Sequence, residues 1–185
     1  MKQLILAVPF IALAACGADP VNYSAPVGIE LKAKSGDAAN LAITESKDIT
    51  TESGNPYGAF TNDAMAKLGG KQPSRIELTS LTLTLGAQSS GVSALEQVLT
   101  GDVDVAFIVN NTNNTYDAGH VTNPTGVGPV KLGVVFDWTQ VSVDDQAALL
   151  GGSFKVALRG PVAASFPTAN AEATLQTTFT FDAFQ

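Results

Sequence analysis

Residues 75–85 read Arg-Ile-Glu-Leu-Thr-Ser-Leu-Thr-Leu-Thr-Leu. Polar and apolar residues alternate through this stretch, which is typical of a strand with one buried face. The alternation changes phase in the middle, because Leu78 and Leu81 lie three positions apart. A straight strand cannot bury both halves of such a pattern on one side. The stretch therefore predicts either a β-bulge near Thr79 and Ser80 or a strand that passes from one sheet to another.

Further strands are predicted by the same alternation elsewhere in the chain. They fall in residues 27–33, 41–49, 130–138, 154–158 and 175–181. Residues 103–109 form a nearly unbroken apolar run, which favours a central strand covered on both faces. Five aromatic residues have inward parity and are expected in the core: Phe136, Trp138, Phe154, Phe179 and Phe181. Phe184 is out of phase with Phe179 and Phe181, and we expect it to cover an edge or to meet a partner.

Three short helices are predicted between the strands, at residues 63–68, 94–100 and 143–150. Start signals precede all three, Thr61 with Asn62, Ser93 with Glu96 and Ser142 with Asp145, and glycines follow them. None is long enough for the crossover of a doubly wound fold. The predicted fold is all-β, an antiparallel β-sandwich (immunoglobulin-like or related) with about three short helices in its connections.

The first residues carry a separate pattern. Lys2 is basic, residues 4–13 are apolar, and residues 13–16 read Leu-Ala-Ala-Cys, with Cys16 the only cysteine in the chain. About ten apolar residues suit a signal peptide but are too short for the ~20 residues of a membrane-spanning helix. This segment resembles the type II signal peptide and lipobox of bacterial lipoproteins. The ordinary alternatives are a secretory signal cut near Ala15 or Ala18, or a buried structural cysteine.

The resemblance implies that Cys16 is alkylated with diacylglycerol, becomes the first residue of the mature protein and is acylated on its amine. Residues 1–15 would then be a removed signal peptide, residues 16–26 a lipidated N-terminus and tether, and residues 27–185 a single domain. Gly17 stands where an Asp often retains lipoproteins in the inner membrane, so the resemblance favours the outer membrane. It favours neither the periplasmic nor the external face.

Composition bounds the possible partners. The formal net charge is −7, and no basic cluster is present, so we expect no nucleic-acid partner, because such affinity rests on neutralising phosphates. The same balance argues against electrostatic adhesion to anionic lipid. A single cysteine permits no disulfide within the chain, so burial alone must hold the core.

The most distinctive polar feature is a loop after the apolar run of residues 103–109. Its candidate ligand-facing residues are Asn110, Asn111, Asn113, Asn114, Tyr116 and His120. Asparagine favours turns, so one explanation is a long turn within residues 110–129. The other is a surface that faces an envelope glycan or a protein, with amides and an aromatic ring as its contacts.

Catalytic and metal-binding patterns are weak. His120 is the only histidine, and no Gly-x-Ser-x-Gly elbow accompanies it. One histidine and one lipidated cysteine do not suit zinc. Asp102, Asp104 and Asp137 are weak calcium candidates, since calcium takes several oxygen ligands from loops. We expect no cofactor.

These patterns favour a lipid-anchored module of the cell envelope that binds or scaffolds without catalytic activity. Its expected partners are membrane lipid, through acylated Cys16, and an envelope glycan or protein. One alternative is an envelope hydrolase that uses His120. A second is a small outer-membrane β-barrel, although the capped helices and the apolar run at residues 103–109 argue against it.

Overall fold

The computed structural model describes residues 22–38 and 40–185. Within them, nine strands form two antiparallel sheets. The strands are β1 (Asn22–Lys34), β2 (Ala42–Asp48), β3 (Arg75–Leu85), β4 (Asp102–Val109), β5 (Thr115–Thr122), β6 (Val130–Lys131), β7 (Gly133–Val134), β8 (Phe154–Pro161) and β9 (Glu172–Phe184). The strand orders are β1-β9-β3-β6 and β2-β8-β4-β5-β7. The fold is therefore an antiparallel β-sandwich, as the sequence predicted.

The phase change in residues 75–85 is a β-bulge within a single strand. The register of β3 against β9 shifts between Leu78, which pairs with Phe181, and Ser80, which pairs with Thr180. Thr79 is left without a partner, and its hydroxyl donates to the carbonyl of Thr180 at 3.2 Å. The extra residue returns Leu81 to the buried face.

The passage between sheets occurs further along the chain, in residues 130–134. β6 pairs with β3 in one sheet, β7 pairs with β5 in the other, and Leu132 is buried between them. The predicted single strand over residues 130–138 is therefore wrong, because both short strands are needed to close this side of the sandwich. Trp138 begins a 3₁₀ turn and Phe136 is only half-buried.

β4 lies in the middle of the five-stranded sheet, as predicted. Its inward residues Val105 and Phe107 are buried, and so is Ala106 on the opposite face, but Asp104 on that face is exposed and Ile108 is half-buried. The prediction of cover on both faces is therefore confirmed only at Ala106, because the sandwich has two layers and the rest of this outer face meets solvent.

Two α-helices lie in the described connections: α1 (Pro56–Lys67) and α2 (Val143–Leu150). α2 has the predicted bounds, and the Ser142 hydroxyl caps it by accepting from the amide of Asp145 at 3.3 Å. α1 begins well before the predicted start at Asp63. Asn55 caps it, with Oδ1 accepting from the Gly58 amide at 3.0 Å, and Pro56 occupies the first turn.

The predicted helix at residues 94–100 is wrong. Only a 3₁₀ turn forms there, Leu95–Gln97. The amide of Ser93 donates to Oε1 of Gln97 at 2.7 Å, and the Glu96 carboxylate accepts from the Gly126 amide at 2.6 Å. The Ser93 hydroxyl also donates to Oε1 of Gln97, at 3.3 Å, so neither side chain of the expected capping box makes its capping bond.

Residues 22–26, placed in the tether by sequence, belong to β1. β1 is the edge of its sheet, and an edge strand tolerates Pro26 because one side of its backbone needs no ladder partner. The Glu30 amide faces this free edge, where it donates to Oε2 of Glu52 at 2.6 Å. The sheet ladder therefore starts six residues after Cys16.

Glu52 joins the two edge strands β1 and β2, which belong to different sheets. Its Oε2 accepts from Lys47 Nζ of β2 at 3.0 Å as well as from the Glu30 amide of β1. Burial raises the pKa of Glu52, but the hydrogen bonds from Glu30, Lys47 and the Ser53 amide outweigh it and hold the pKa below its ordinary value. The carboxylate thus ties the sheets together on the side away from β6 and β7.

The core is aromatic at its centre. Phe154 and Phe181 pack edge-on against Tyr57 of α1, with ring centroids 5.3 and 5.9 Å from it. Phe179 and Trp138 are buried as predicted, whereas Phe136 lies at the margin of the core. Phe184 covers the end of its sheet, beneath the guanidinium of Arg75 at 4.3 Å. No helix of the described residues is long and apolar enough to cross a membrane.

Candidate functional site

The predicted loop after β4 is a tight turn of residues 110–114. β5 begins at Thr115, so His120 lies in a strand, and the expectation of one long turn over residues 110–129 is wrong. Asn113 has a left-handed backbone (φ 58°), which asparagine tolerates, and its amide closes the turn on the Val109 carbonyl at 2.8 Å. The segment is therefore a compact hairpin and not the extended loop that the sequence predicts.

A buried carboxylate of α2 holds this turn. Asp145 is 0% exposed. Its Oδ1 accepts from the Thr112 hydroxyl at 2.8 Å, and its Oδ2 accepts from Asn114 Nδ2 at 2.7 Å and from the Tyr116 hydroxyl at 2.6 Å. These contacts fix the β4–β5 turn to the first turn of the helix.

The cluster keeps Asp145 ionised. The hydrogen bonds from Asn114, Tyr116, Thr112 and Ser142 stabilise the carboxylate more than burial destabilises it, and they lower its pKa to about 2. A buried charge is stable only with such partners. Two polar side chains proposed as ligand contacts, Asn114 and Tyr116, therefore bond a group inside the protein.

The other loop asparagines have different environments. Asn110 Nδ2 donates to Oδ1 of Asp48 at 2.9 Å, which joins the turn to the end of β2. Asn111 and Asn113 are exposed. The turn therefore presents fewer side-chain amides to solvent than the four asparagines of its sequence predict, because those of Asn110 and Asn114 bond within the protein.

A cleft lies beside the ring of Tyr116, at the edge of the five-stranded sheet. Its volume is about 300 Å³. We call it the Phe136 cleft, and it is lined by Thr115, Tyr116, Asp117, Val135, Phe136, Asp137 and Gln140. It has the size of a site for a small ligand or for one group of a larger one.

The cleft exists because the chain leaves β5 early. β7 pairs only with Gly119 and His120, and the last ladder-like contact is the Val135 amide on the Ala118 carbonyl at 3.1 Å. Beyond it, the start of β5 forms an open edge. The Asn114 carbonyl accepts from β4, so the alternation of an antiparallel ladder turns the backbone groups of Thr115 and Asp117 away from β4, toward the cleft.

Its aromatic walls are held in place from behind. The ring of Phe136 packs edge-on against Phe107, with centroids 5.2 Å apart, and against Trp138 at 6.5 Å. The hydroxyl of Tyr116 is bonded to Asp145, and it also accepts from the Ser142 amide at 3.4 Å. Both rings are therefore positioned before any ligand arrives.

The charge of the cleft is negative. Asp117 and Asp137 line it, and no Lys or Arg of the described residues does. Hydrogen bonds from the hydroxyl and the amide of Thr139 hold the pKa of Asp137 below its ordinary value. Neither carboxylate belongs to an ion pair within the described part of the chain.

A second cavity, of about 220 Å³, lies on the other side of Phe136 and Asp137. Glu77 and Arg75 of β3 line it together with Trp138, the single tryptophan of the chain. Arg75 is engaged by Glu77, with 3.2 Å between Nε and Oε1, and by the ring of Phe184. The fluorescence of Trp138 should therefore be sensitive to changes in the segment that separates the two cavities.

The remaining candidates lie apart from the cleft. His120 is exposed on β5 opposite Asp104 of β4, and its ring lies over Gly133. Asp102 accepts from the Thr122 hydroxyl. Within residues 22–38 and 40–185 no group of three or more His, Cys, Asp or Glu side chains is arranged to hold a metal ion, so Asp102, Asp104 and Asp137 do not form one site.

The sequence pattern indicates Tyr116 and Asp137 separately and does not mark their neighbours Asp117, Phe136 and Gln140 as site residues. Parity assigned Phe136 to the core, and only the departure of the chain from β5 exposes its ring. Cys16, the predicted lipidation site, lies outside the described residues. No protein-family model matches the chain, and no curated protein matches it significantly.

Proposed function

We propose that this protein is a lipid-anchored module of the cell envelope that binds a ligand and has no catalytic activity. The observation that carries the anchor is the lipobox, with Cys16 six residues before the first residue of β1, Asn22. A fully extended chain of that length spans about 20 Å. Acyl chains on Cys16 would hold the sandwich next to the bilayer, with two or three chains giving stable attachment.

The Phe136 cleft supports the binding part of the proposal. It combines two fixed aromatic walls, two carboxylates and an open strand edge in a space of about 300 Å³. Convergent polar groups around an apolar wall are typical of sites for small ligands. The ligand belongs to the envelope on this proposal, because the anchor confines the domain there, and the outer membrane is favoured by Gly17.

The mass of the mature protein tests the anchor. We expect a chain that starts at Cys16, carries diacylglycerol and an amide-linked acyl group, and sediments with outer-membrane fractions on a density gradient. Cys16→Ser should abolish both the lipid mass and the cleavage before residue 16, leaving a precursor that keeps residues 1–15, while Ala18→Ser, a matched change two residues on, should alter neither. A Cys16→Ser protein that is still cleaved before residue 16 and still fractionates with the outer membrane would contradict the proposal.

A further inference from the structure

We propose that the Phe136 cleft binds an organic ammonium group, such as the protonated amine of a side chain or of an amino sugar. This inference rests on the proposed binding function and assigns its ligand chemistry. Its starting point is the pair of aromatic walls, Phe136 and Tyr116, which the protein fixes by packing and by the bond to Asp145. An alkylammonium group is attracted to aromatic faces and also contacts them through its methylene groups.

The negative charge of the cleft favours cationic ligands over the other ligands that could bind between aromatic rings. Asp117 and Asp137 both line the cleft, and within residues 22–38 and 40–185 no basic side chain does. An anionic ligand would meet two like charges with nothing to balance them, whereas a cation would neutralise one or both. The exposed carboxylates give little affinity as isolated ion pairs, but together with the rings they discriminate strongly between ligands of opposite charge.

Hydrogen-bond acceptors complete the match. An ammonium group only donates, through three N–H bonds. Four residues that line the cleft carry acceptors: the carboxylate of Asp137, the side-chain carbonyl of Gln140, and the backbone carbonyls of Thr115 and Asp117 at the open strand edge. Oδ1 of Asp137 already accepts from Thr139 at 2.7 and 2.9 Å, which aims the carboxylate and leaves Oδ2 for a ligand.

The shape of the cleft sets the size of that group. A volume of about 300 Å³ takes one amine with a short alkyl stem or one sugar ring, not a folded partner. Val135 is 48% exposed at the rim and gives the stem an apolar contact. The ligand is therefore the cationic end of a small molecule or of an extended polymer.

The test uses the full mature protein in detergent micelles and follows the fluorescence of Trp138, whose ring contacts Phe136. The probes are pentylammonium, its neutral analogue 1-pentanol, its anionic counterpart pentanoate, and N-acetylglucosamine. We expect pentylammonium to bind at least tenfold more tightly than 1-pentanol or N-acetylglucosamine, and pentanoate not to bind. High salt should weaken the pentylammonium signal.

Variants locate the binding. Asp117→Asn and Asp137→Asn remove charge but keep shape, and the asparagine at 137 retains the oxygen that caps the following turn; each should weaken pentylammonium binding severalfold. Phe136→Leu should do the same. The controls are Asp144→Asn and Phe184→Leu, an exposed acid and a half-exposed ring outside the cleft, which should leave the affinity unchanged.

Three results would overturn the inference: equal binding of 1-pentanol or N-acetylglucosamine, binding unaffected by both asparagine variants, or no binding of any probe. If Phe136→Leu fails to fold, the two asparagine variants still decide the question. Failure of the anchor is a separate result, because a Cys16→Ser protein without lipid would keep the cleft and its titration.

Discussion

The Tyr116 hydroxyl donates a 2.6 Å hydrogen bond to Oδ2 of Asp145 across 29 residues of chain. The bond joins β5 to α2 and sets the angle of a ring that lines the Phe136 cleft. One contact thus has two consequences, because the buried carboxylate stabilises the hairpin and the same hairpin supplies a wall of the candidate site. Removing the Tyr116 hydroxyl while keeping the ring separates the two.

Tyr116→Phe should lower the free energy of unfolding by about 2 kcal/mol, since a hydrogen bond to a buried charge is lost while the ring is kept. Urea denaturation measures this loss. The matched control is Tyr23→Phe, which removes an exposed 3.3 Å bond to Asp63 and should cost less than about 0.5 kcal/mol. Equal losses in the two variants would show that the Asp145 cluster contributes no special stability.

Acid should weaken the fold through the same carboxylate. The pKa of Asp145 is lowered to about 2 in the folded protein, against about 3.9 in an unfolded chain. Its contribution is therefore fully present above about pH 4 and is lost as the pH falls from there toward 2. Glu52, with a pKa that is also lowered, acts in the same direction.

Unfolding measured between pH 2 and pH 6 tests this assignment. Asp145→Asn should be less stable than the wild type at pH 6 and should lose less stability on acidification. Asp144→Asn, an exposed neighbour on the same helix turn, should reproduce the wild-type dependence. A pH profile of Asp145→Asn parallel to that of the wild type would place the acid sensitivity elsewhere.

The sequence predicted the sandwich because its strands are locally determined. Leu78 and Leu81 lie in one strand, and their spacing alone required a bulge or a sheet change. The cleft depends on contacts between distant residues, and no local pattern links Tyr116 to Asp145. Phe136 has the parity of a core residue, yet it is half-buried because the chain leaves β5 beyond Val135. Periodicity predicts which face of a strand is apolar, but not where its neighbour ends.

Glu52→Gln should destabilise the side of the sandwich where the edge strands β1 and β2 meet. The neutral amide keeps one acceptor but loses the charge that faces Lys47 and the Glu30 amide, and we expect a loss of about 1–2 kcal/mol. Hydrogen exchange should also rise in β1 and β2, whose edges this carboxylate joins.

Glu45→Gln is the matched control for that change. Burial raises the pKa of Glu45, and the nearby Asp37 raises it further, so its charge is unfavourable where it lies. Removing that charge should leave stability unchanged or increase it slightly. If both glutamines had the same effect, loss of charge alone would explain the result and Glu52 would have no specific tie to β1.

Deleting Thr79, the unpaired residue of the bulge in β3, should cost little stability for a deletion inside a strand. Thr79 has no partner on β9, since Leu78 pairs with Phe181 and Ser80 with Thr180. Removing it leaves a strand in which every second residue is apolar and every pair on β9 is kept. The cost should be about 1–2 kcal/mol, for the hydroxyl bond to the Thr180 carbonyl and the local twist.

Deleting Thr82 from the same strand should be far worse, although it removes the same kind of residue. The deletion shifts Leu83 and Leu85, both buried, to the outer face, and moving two leucines into water costs roughly 3–6 kcal/mol. Urea denaturation and limited proteolysis of the two deletion proteins measure the difference. Thr79 accounts for the change of phase because it is the one residue of β3 without a pair on β9. Only a deletion at Thr79 should therefore preserve the fold. An equal loss of stability in both deletion proteins would contradict this.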